Sequence, residues 1–265
     1  MKNLNMTRFG RVLKLDFTEG MKSMMWAALA MLLLYLFFFW FAYNIGFHGF
    51  VNRGEDFVRM VCEAVGSFGC VAMMFFFLIT VSTLYRSEQK KQQRIAWLML
   101  PATNLEKFLS RWIYMLVFSL VGGVLMFFVA DLIHMAWLWM SGMPVKASTC
   151  YFFNGLPHTD NPDNRLLIAN AYGMMVAIHA FFLLGGVLFR KYHTIVTAAL
   201  VVLIFTLMTG LYNALFVQTS SSVESSVYFD VFMIVMECCA IVLFTWLAYR
   251  LFCRWQVVTR KFVNL

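Results

Sequence analysis

Apolar residues in this chain run on for twenty or more positions at a time, separated by short polar stretches. Six such blocks lie at about 24–45, 61–84, 112–137, 166–189, 194–217 and 228–252. About 20 apolar residues carry a helix across the hydrocarbon core of a bilayer. Inside lipid a helix is the one open-chain structure that pairs all of its own backbone groups. The pattern therefore predicts an all-α integral membrane protein with six transmembrane helices, in a single transmembrane domain over 24–265. Ahead of the first block, Met6, Phe9, Leu13, Phe17 and Met21 recur every three or four residues among Lys2, Arg8, Arg11, Lys14 and Lys22. That spacing predicts a basic amphipathic helix over 1–23, lying in the membrane interface. The apolar run that begins near Met24 is too long for the apolar core of a cleaved signal peptide, so none is expected.

The polar stretch with the most readable local structure is 86–112, between the second and third blocks. It carries Arg86, Lys90, Lys91, Arg94, Lys107 and Arg111. After Pro101, Thr103 and Glu106 form a Thr-x-x-Glu capping box: the hydroxyl takes a free backbone N–H, and the carboxylate reaches back to the cap's own N–H. Leu105, Phe108, Leu109 and Trp112 then fall on one helical face, leaving Asn104, Glu106, Lys107, Ser110 and Arg111 on the other. A short helix near 98–111 is expected. It is shaped either to be held by a soluble partner or to lie solvated at the interface as a plain connection.

Composition and charge add a compartment and an orientation. The chain is 62% hydrophobic and 13% charged, with a mean hydropathy of +0.75, far from the usual quarter charged of a soluble domain. Of its 21 basic residues, only Arg53, Arg59, Lys146 and Arg165 fall in the loops 47–60 and 138–165. The rest lie at the two ends, in 86–111, or at Arg190 and Lys191. By the positive-inside rule both termini are cytoplasmic. The net charge of +8 is then a topology signal and a contact with anionic head groups, not a nucleic-acid footprint. The outer loop near 138–165 holds Pro144, Pro157 and Pro162 and reads as ordered turns or a small cap. The six cysteines form neither a CxxC pair nor a zinc spacing. A Cys62–Cys150 bridge is possible on an oxidising outer side, against the alternative of free thiols.

Recognisable catalytic signatures are missing. No G-x-x-x-x-G-K-[ST], HExxH or GxSxG occurs, so a nucleotide-cradling loop, a zinc protease and an elbow-type hydrolase are not indicated, and no enzyme activity or metal site is expected in this chain. Ionisable groups inside the apolar blocks are the next candidates, because their desolvation must be compensated. Glu63, Asp131, His134 and Asp230 stand near outer ends, within reach of water. His179 and Glu237 lie deeper. With Asn213 they are the candidate polar lining of a translocation path, or else structural groups satisfied within the bundle. Gly122–Gly123 and Gly185–Gly186 remove side chains where helices can approach closely.

The run Leu100-Pro101-Ala102-Thr103-Asn104-Leu105-Glu106-Lys107-Phe108-Leu109 resembles the coupling-helix segment of type-2 ABC exporter permeases. There a Leu-Pro pair, a small hydroxyl residue and an acidic residue precede an apolar helix leading into the third span. The amphipathic segment over 1–23 is similar to that family's elbow helix, and the six-span plan also matches. Departures are Gln92-Gln93-Arg94-Ile95-Ala96, where many members carry a Gly-Thr-x-Glu-like run, and a short outer loop at 218–227. The resemblance implies a multi-pass permease subunit of the cell membrane that pairs with a second copy and docks two separate ATPase subunits. ATP and Mg would be bound by those partners, with no cofactor in this chain. Leu100, Pro101, Ala102, Thr103, Asn104, Leu105, Glu106, Lys107 and Phe108 would then contact the ATPase, with Arg190, Lys191 and Tyr192 as a second, smaller contact. The alternatives are an ion-gradient-coupled carrier using Glu237 and His179, or a non-transporting sensor or assembly protein. Unbroken spans and the lack of an internal repeat weigh against the carrier.

Overall fold

The computed structural model describes residues 5–46, 55–84, 95, 97, 99–154, 165–189, 192–216 and 224–254, excluding the side chains of 45, 46, 208, 209, 211–216 and 224–230. Among these residues every regular element is helical. They are α1 (Met6–Phe41), α2 (Glu55–Ser82), α3 (Asn104–Val117), α4 (Gly123–Met140), α5 (Thr149–Asn154), α6 (Arg165–Leu188), α7 (His193–Phe216) and α8 (Glu224–Cys253). Among the described residues five stretches are long and apolar enough to cross a membrane: Met6–Asn44, Glu55–Ser82, Asn104–Met140, Arg165–Leu188 and Val231–Cys253. The fifth expected block lies in α7, whose described part His193–Leu207 is also apolar. The loop 218–227 and the C-terminal basic residues Arg260 and Lys261 lie mostly or wholly outside the described residues.

Asn5 starts α1. Its Oδ1 accepts the backbone N–H groups of Thr7 at 3.0 Å and Arg8 at 3.4 Å, satisfying two of the donors a helix start leaves free. The helix then runs for 36 residues without interruption. The expected boundary at 23/24 falls inside it, because no proline or capping sequence stops the chain there. At 1.5 Å per residue α1 is roughly 54 Å long, well beyond the ~30 Å hydrocarbon core. Met6, Phe17 and Met21 of the expected apolar stripe are exposed, while Val12, Asp16 and Met24 turn inward. A five-residue π turn, Ala42–Gly46, ends the helix. A second π turn, Phe118–Gly122, joins α3 to α4 without a break, making one helical rod over Asn104–Met140.

Contacts divide the chain into two compact units. The unit formed by Leu13–Phe77 and Ile113–His158 has an aromatic centre. Tyr35 meets the edge of Phe127 at 5.2 Å, and Phe152 stacks on the other side of Phe127 at 4.4 Å. Gly123 lets α4 close on Met73, whose Cγ lies 3.0 Å from where a Cβ would stand, whereas Gly122 faces only its own Phe118. Asp131 and His134 are buried here rather than reached by water. Asp131 accepts the backbone N–H groups of Ser148 and Thr149, both at 2.9 Å, and the Thr149 hydroxyl at 2.6 Å. His134 Nε2 is hydrogen-bonded to Tyr43 Oη at 3.0 Å, and its ring stacks on Phe39. Burial is tolerated because the carboxylate caps α5, the helical part, among the described residues, of the expected outer cap. Gly142, at φ +66°, closes α4 in a Schellman turn, with Met143 N–H donating to Leu138 O and Gly142 N–H to Trp139 O. Cys62 and Cys150 are both free thiols, and Cys62 Sγ donates to the Lys146 carbonyl at 3.7 Å.

The other unit, Met1–Val12, Leu78–Trp112 and Thr159–Leu265, is built on α6, which packs along α8 and against α7. Gly185 receives Thr197 of α7, and Gly186 receives the C-terminal end of α2: an added Cβ would stand 2.6 Å from the Ser82 carbonyl oxygen. The Ser82 and Thr194 hydroxyls are hydrogen-bonded at 2.7 Å. Both members of this glycine pair thus mark close approaches. Replacing Gly186 by Ala sets a methyl group against backbone that cannot rotate away and is expected to cost about 1–3 kcal/mol. Gly10→Ala, where nothing lies within 4 Å, should be neutral or stabilising by up to about 1 kcal/mol. Thermal unfolding in detergent, monitored by helical signal, checks the contrast; equal midpoints for the two variants would disprove the packing role.

Candidate docking site at the start of the third membrane helix

The start of α3 is held by the reciprocal bonds that its sequence encodes. Thr103 N–H donates to Glu106 Oε2 at 2.8 Å, and Glu106 N–H donates to Thr103 Oγ1 at 3.2 Å. Lys107 N–H closes the first turn on the Thr103 carbonyl at 3.0 Å. Ahead of it the chain is also bonded, Ala102 N–H to Leu100 O at 2.8 Å and Met99 N–H to Ile95 O at 3.0 Å. The segment before the helix is therefore a shaped lip rather than a loose tether.

Glu106 does more than cap its own helix. Its side chain has no exposed surface, and Oε1 accepts the backbone N–H of Asn5 at 2.9 Å and Arg8 Nη2 at 3.2 Å. A buried carboxylate persists only when donors replace lost water. Two come from backbone N–H groups at helix starts, where the macrodipole also favours an anion. Arg8 is 37% exposed, so its ion pair adds less than a dry one would. The starts of α1 and α3 are thereby tied to one carboxylate.

The expected assignment of faces holds for Asn104, which is exposed, and Phe108, which is buried, and is overturned for the rest of the polar face and for Leu105. Glu106, Lys107, Ser110 and Arg111 point inward and Leu105 outward. Lys107 Nζ and the Arg111 guanidinium lie 5.6 and 5.2 Å from the centroid of the buried Trp97 ring, a cation–π arrangement worth more when desolvated. Phe108 packs on Tyr249 and Phe252 of α8, both at 5.6 Å, and Trp97 meets Phe252 at 5.3 Å. The apolar stripe was a poor guide because it ignored the ring and the N-terminal donors that this polar face meets.

Of the expected contact residues, Pro101, Asn104 and Leu105 are exposed, and Leu100, Ala102 and Thr103 are half-buried. Glu106, Lys107 and Phe108 are buried and serve to position the others. Met99, 79% exposed beside Leu105 at 42%, was missed; only its place directly before Leu-Pro marked it. Arg190 and Lys191 lie outside the described residues. Tyr192 is 69% exposed at a φ of 55°, an uncommon conformation for a bulky side chain, just before α7. It shares its exposure with Ile195.

The polar residues expected along a path are not gathered together. His179 Nε2 accepts the Trp112 indole N–H at 3.2 Å, which ties α6 to α3. Glu237 of α8 packs directly on Gly173 of α6, and its Oε2 is buried with no hydrogen-bond partner among the described residues. Six residues of α6, roughly 9 Å of rise, separate Gly173 from His179. The side chain of Asn213 lies outside the described residues. Comparison with protein-family models, curated proteins and solved structures finds no match.

Removing the Glu106 carboxylate should free the start of α1. Glu106→Ala leaves the N–H groups of Asn5 and Thr103 without their acceptor and is expected to destabilise the junction by about 3 kcal/mol. Amide exchange should then accelerate at Thr7–Phe9 and Asn104–Phe108 while α6 keeps its protection. Unchanged exchange at Thr7–Phe9 would show that the carboxylate does not hold α1.

Proposed function

We propose that this chain is the membrane-spanning subunit of an ATP-driven exporter of the type-2 ABC permease kind. In this reading six helices cross the cell membrane, with both termini in the cytoplasm, and two copies pair to dock two separate ATPase subunits. The observation that carries it is the exposed lip Met99–Leu105, mounted on a helix start whose Glu106, Lys107 and Phe108 are buried against α1, Trp97 and α8. A partner groove can grip Met99, Pro101 and Leu105 as an apolar edge, with Asn104 offering hydrogen bonds. Because the capping box and the Glu106 bonds hold the helix start, displacement of the lip is carried into α3 instead of being lost in a flexible loop. The long apolar helices and the basic residues concentrated around one set of connections support the same reading. The hydrolytic chemistry belongs to the partner. This chain supplies a two-state path whose populations the partner's closing would bias.

Co-purification in mild detergent from the native cell tests it. The intact chain should bring down a P-loop ATPase in roughly equal amount, and Leu105→Asp should lose it while keeping membrane insertion and thermal midpoint, since Leu105 is an exposed side chain outside the buried core. Retention of the ATPase by Leu105→Asp would remove the lip from the interface, and absence of any ATPase with the intact chain would remove the exporter assignment.

A second reading, transport driven by an ion gradient, is favoured by one observation: the buried Glu237 oxygen without a partner. A carboxyl in that position is suited to exchanging a proton. On this reading Glu237→Gln abolishes flux driven by a pH gradient in proteoliposomes; undiminished flux would end it.

A further inference from the structure

The outward face of α8 carries a groove that neither reading uses. Cys238, Cys239, Val242, Leu243 and Trp246 line a shallow depression of about 690 Å³. Positions 239, 243, 246 and 250 follow one another at three- and four-residue steps, so they form one stripe along the helix, and Arg254 lies just past its last residue, Cys253. Beyond the groove, the Arg250 guanidinium lies 4.8 Å from the centroid of the Trp246 ring. Arg254 stands in the turn that ends the helix, its backbone N–H donating to the Leu251 carbonyl, and both arginines are exposed. No carboxylate pairs with either guanidinium among the described residues. Apolar lining, a half-exposed indole and two exposed guanidinium groups are thus met in that order.

We infer that this stripe binds one anionic glycerophospholipid, with its phosphate on Arg250 and Arg254 and an acyl chain in the groove below Trp246. The dimensions agree. From Cys239 to Trp246 the helix rises roughly 10 Å, within the ~15 Å of hydrocarbon in one leaflet. A further roughly 6–12 Å brings Arg250 and Arg254 to head-group level. Tryptophan favours that boundary, and arginine forks fit phosphate oxygens bidentately. The stacked ring also restrains Arg250, lowering the ordering needed when phosphate arrives. A negative head group suits this face better than a zwitterionic one, whose own ammonium would meet the same arginines. The site requires only that α8 lies in a bilayer; docking of an ATPase does not enter.

Native mass spectrometry of the full-length chain tests this with phosphatidylglycerol and phosphatidylcholine of equal acyl length. Phosphatidylglycerol should be retained about tenfold more strongly, and Arg250→Gln/Arg254→Gln should bring it down to the phosphatidylcholine level. Leu243→Trp, which fills the groove and leaves both arginines in place, should weaken both lipids. Equal retention of the two lipids by the intact chain, or unchanged preference in the arginine variant, would overturn the site. Full displacement of phosphatidylglycerol by inorganic phosphate, with Leu243→Trp without effect, would make it a phosphate site rather than a lipid site. If lipid is excluded because the groove is closed by a second copy, seen as a Cys239–Cys239 cross-link in the intact chain, the lipid assignment also falls.

Discussion

A carboxylate without water must be surrounded by donors, and Glu106 meets that demand by recruiting two helix starts. The backbone N–H groups of Asn5 and Thr103, together with Arg8, converge on its two oxygens. The interaction is local in α3 and distant in sequence for α1, so it sets where both helices begin. Much of the surrounding arrangement follows from it. With Glu106 turned inward, Lys107 and Arg111 follow on the same face and reach Trp97, and Phe108 reaches the end of α8. Met99, Pro101, Asn104 and Leu105 are left on the outside. An exposed apolar edge is thus the by-product of satisfying a buried charge.

The same logic governs the other buried polar groups, with different partners. Asp131 gives its oxygens to a helix start from a nearby loop, His179 takes an indole N–H, and His134 is shared between stacking and a phenol. Each solves the problem that lipid and apolar neighbours pose to a polar group. One oxygen of Glu237 rests against Gly173 without a donor among the described residues. Groups left in that state are where changes of protonation or partner cost least.

Features set by neighbours in the chain were legible in the sequence. Blocks of apolar residues marked the long helices, Thr103 and Glu106 marked the start of α3, and Gly185–Gly186 marked close helix approach. What escaped was set by residues far apart in sequence. Nothing in the spacing of α3 says that Asn5 and Arg8 meet Glu106, or that Trp97 waits beneath Lys107 and Arg111, so the amphipathic pattern placed Phe108 but not the burial of Glu106, Lys107, Ser110 and Arg111. Asp131 and His134 were likewise read by their nearness to a helix end, whereas their burial depends on how the chain folds back at Ser148 and Thr149. At 23/24 the change from polar to apolar composition is not a change in backbone conformation: nothing there stops a helix, and α1 runs through it.

The short helix α5 has six residues, too few to be helical on its own in water. Its order is borrowed from Asp131, which supplies the acceptors its first turn needs, and from Phe127, on which the ring of Phe152 is stacked. Both lenders stand on α4. The fold of this small surface feature is therefore a reporter of a buried one: a rotation of α4 that withdrew Asp131 would appear as the melting of a helix several residues away, visible from outside without any probe entering the bundle.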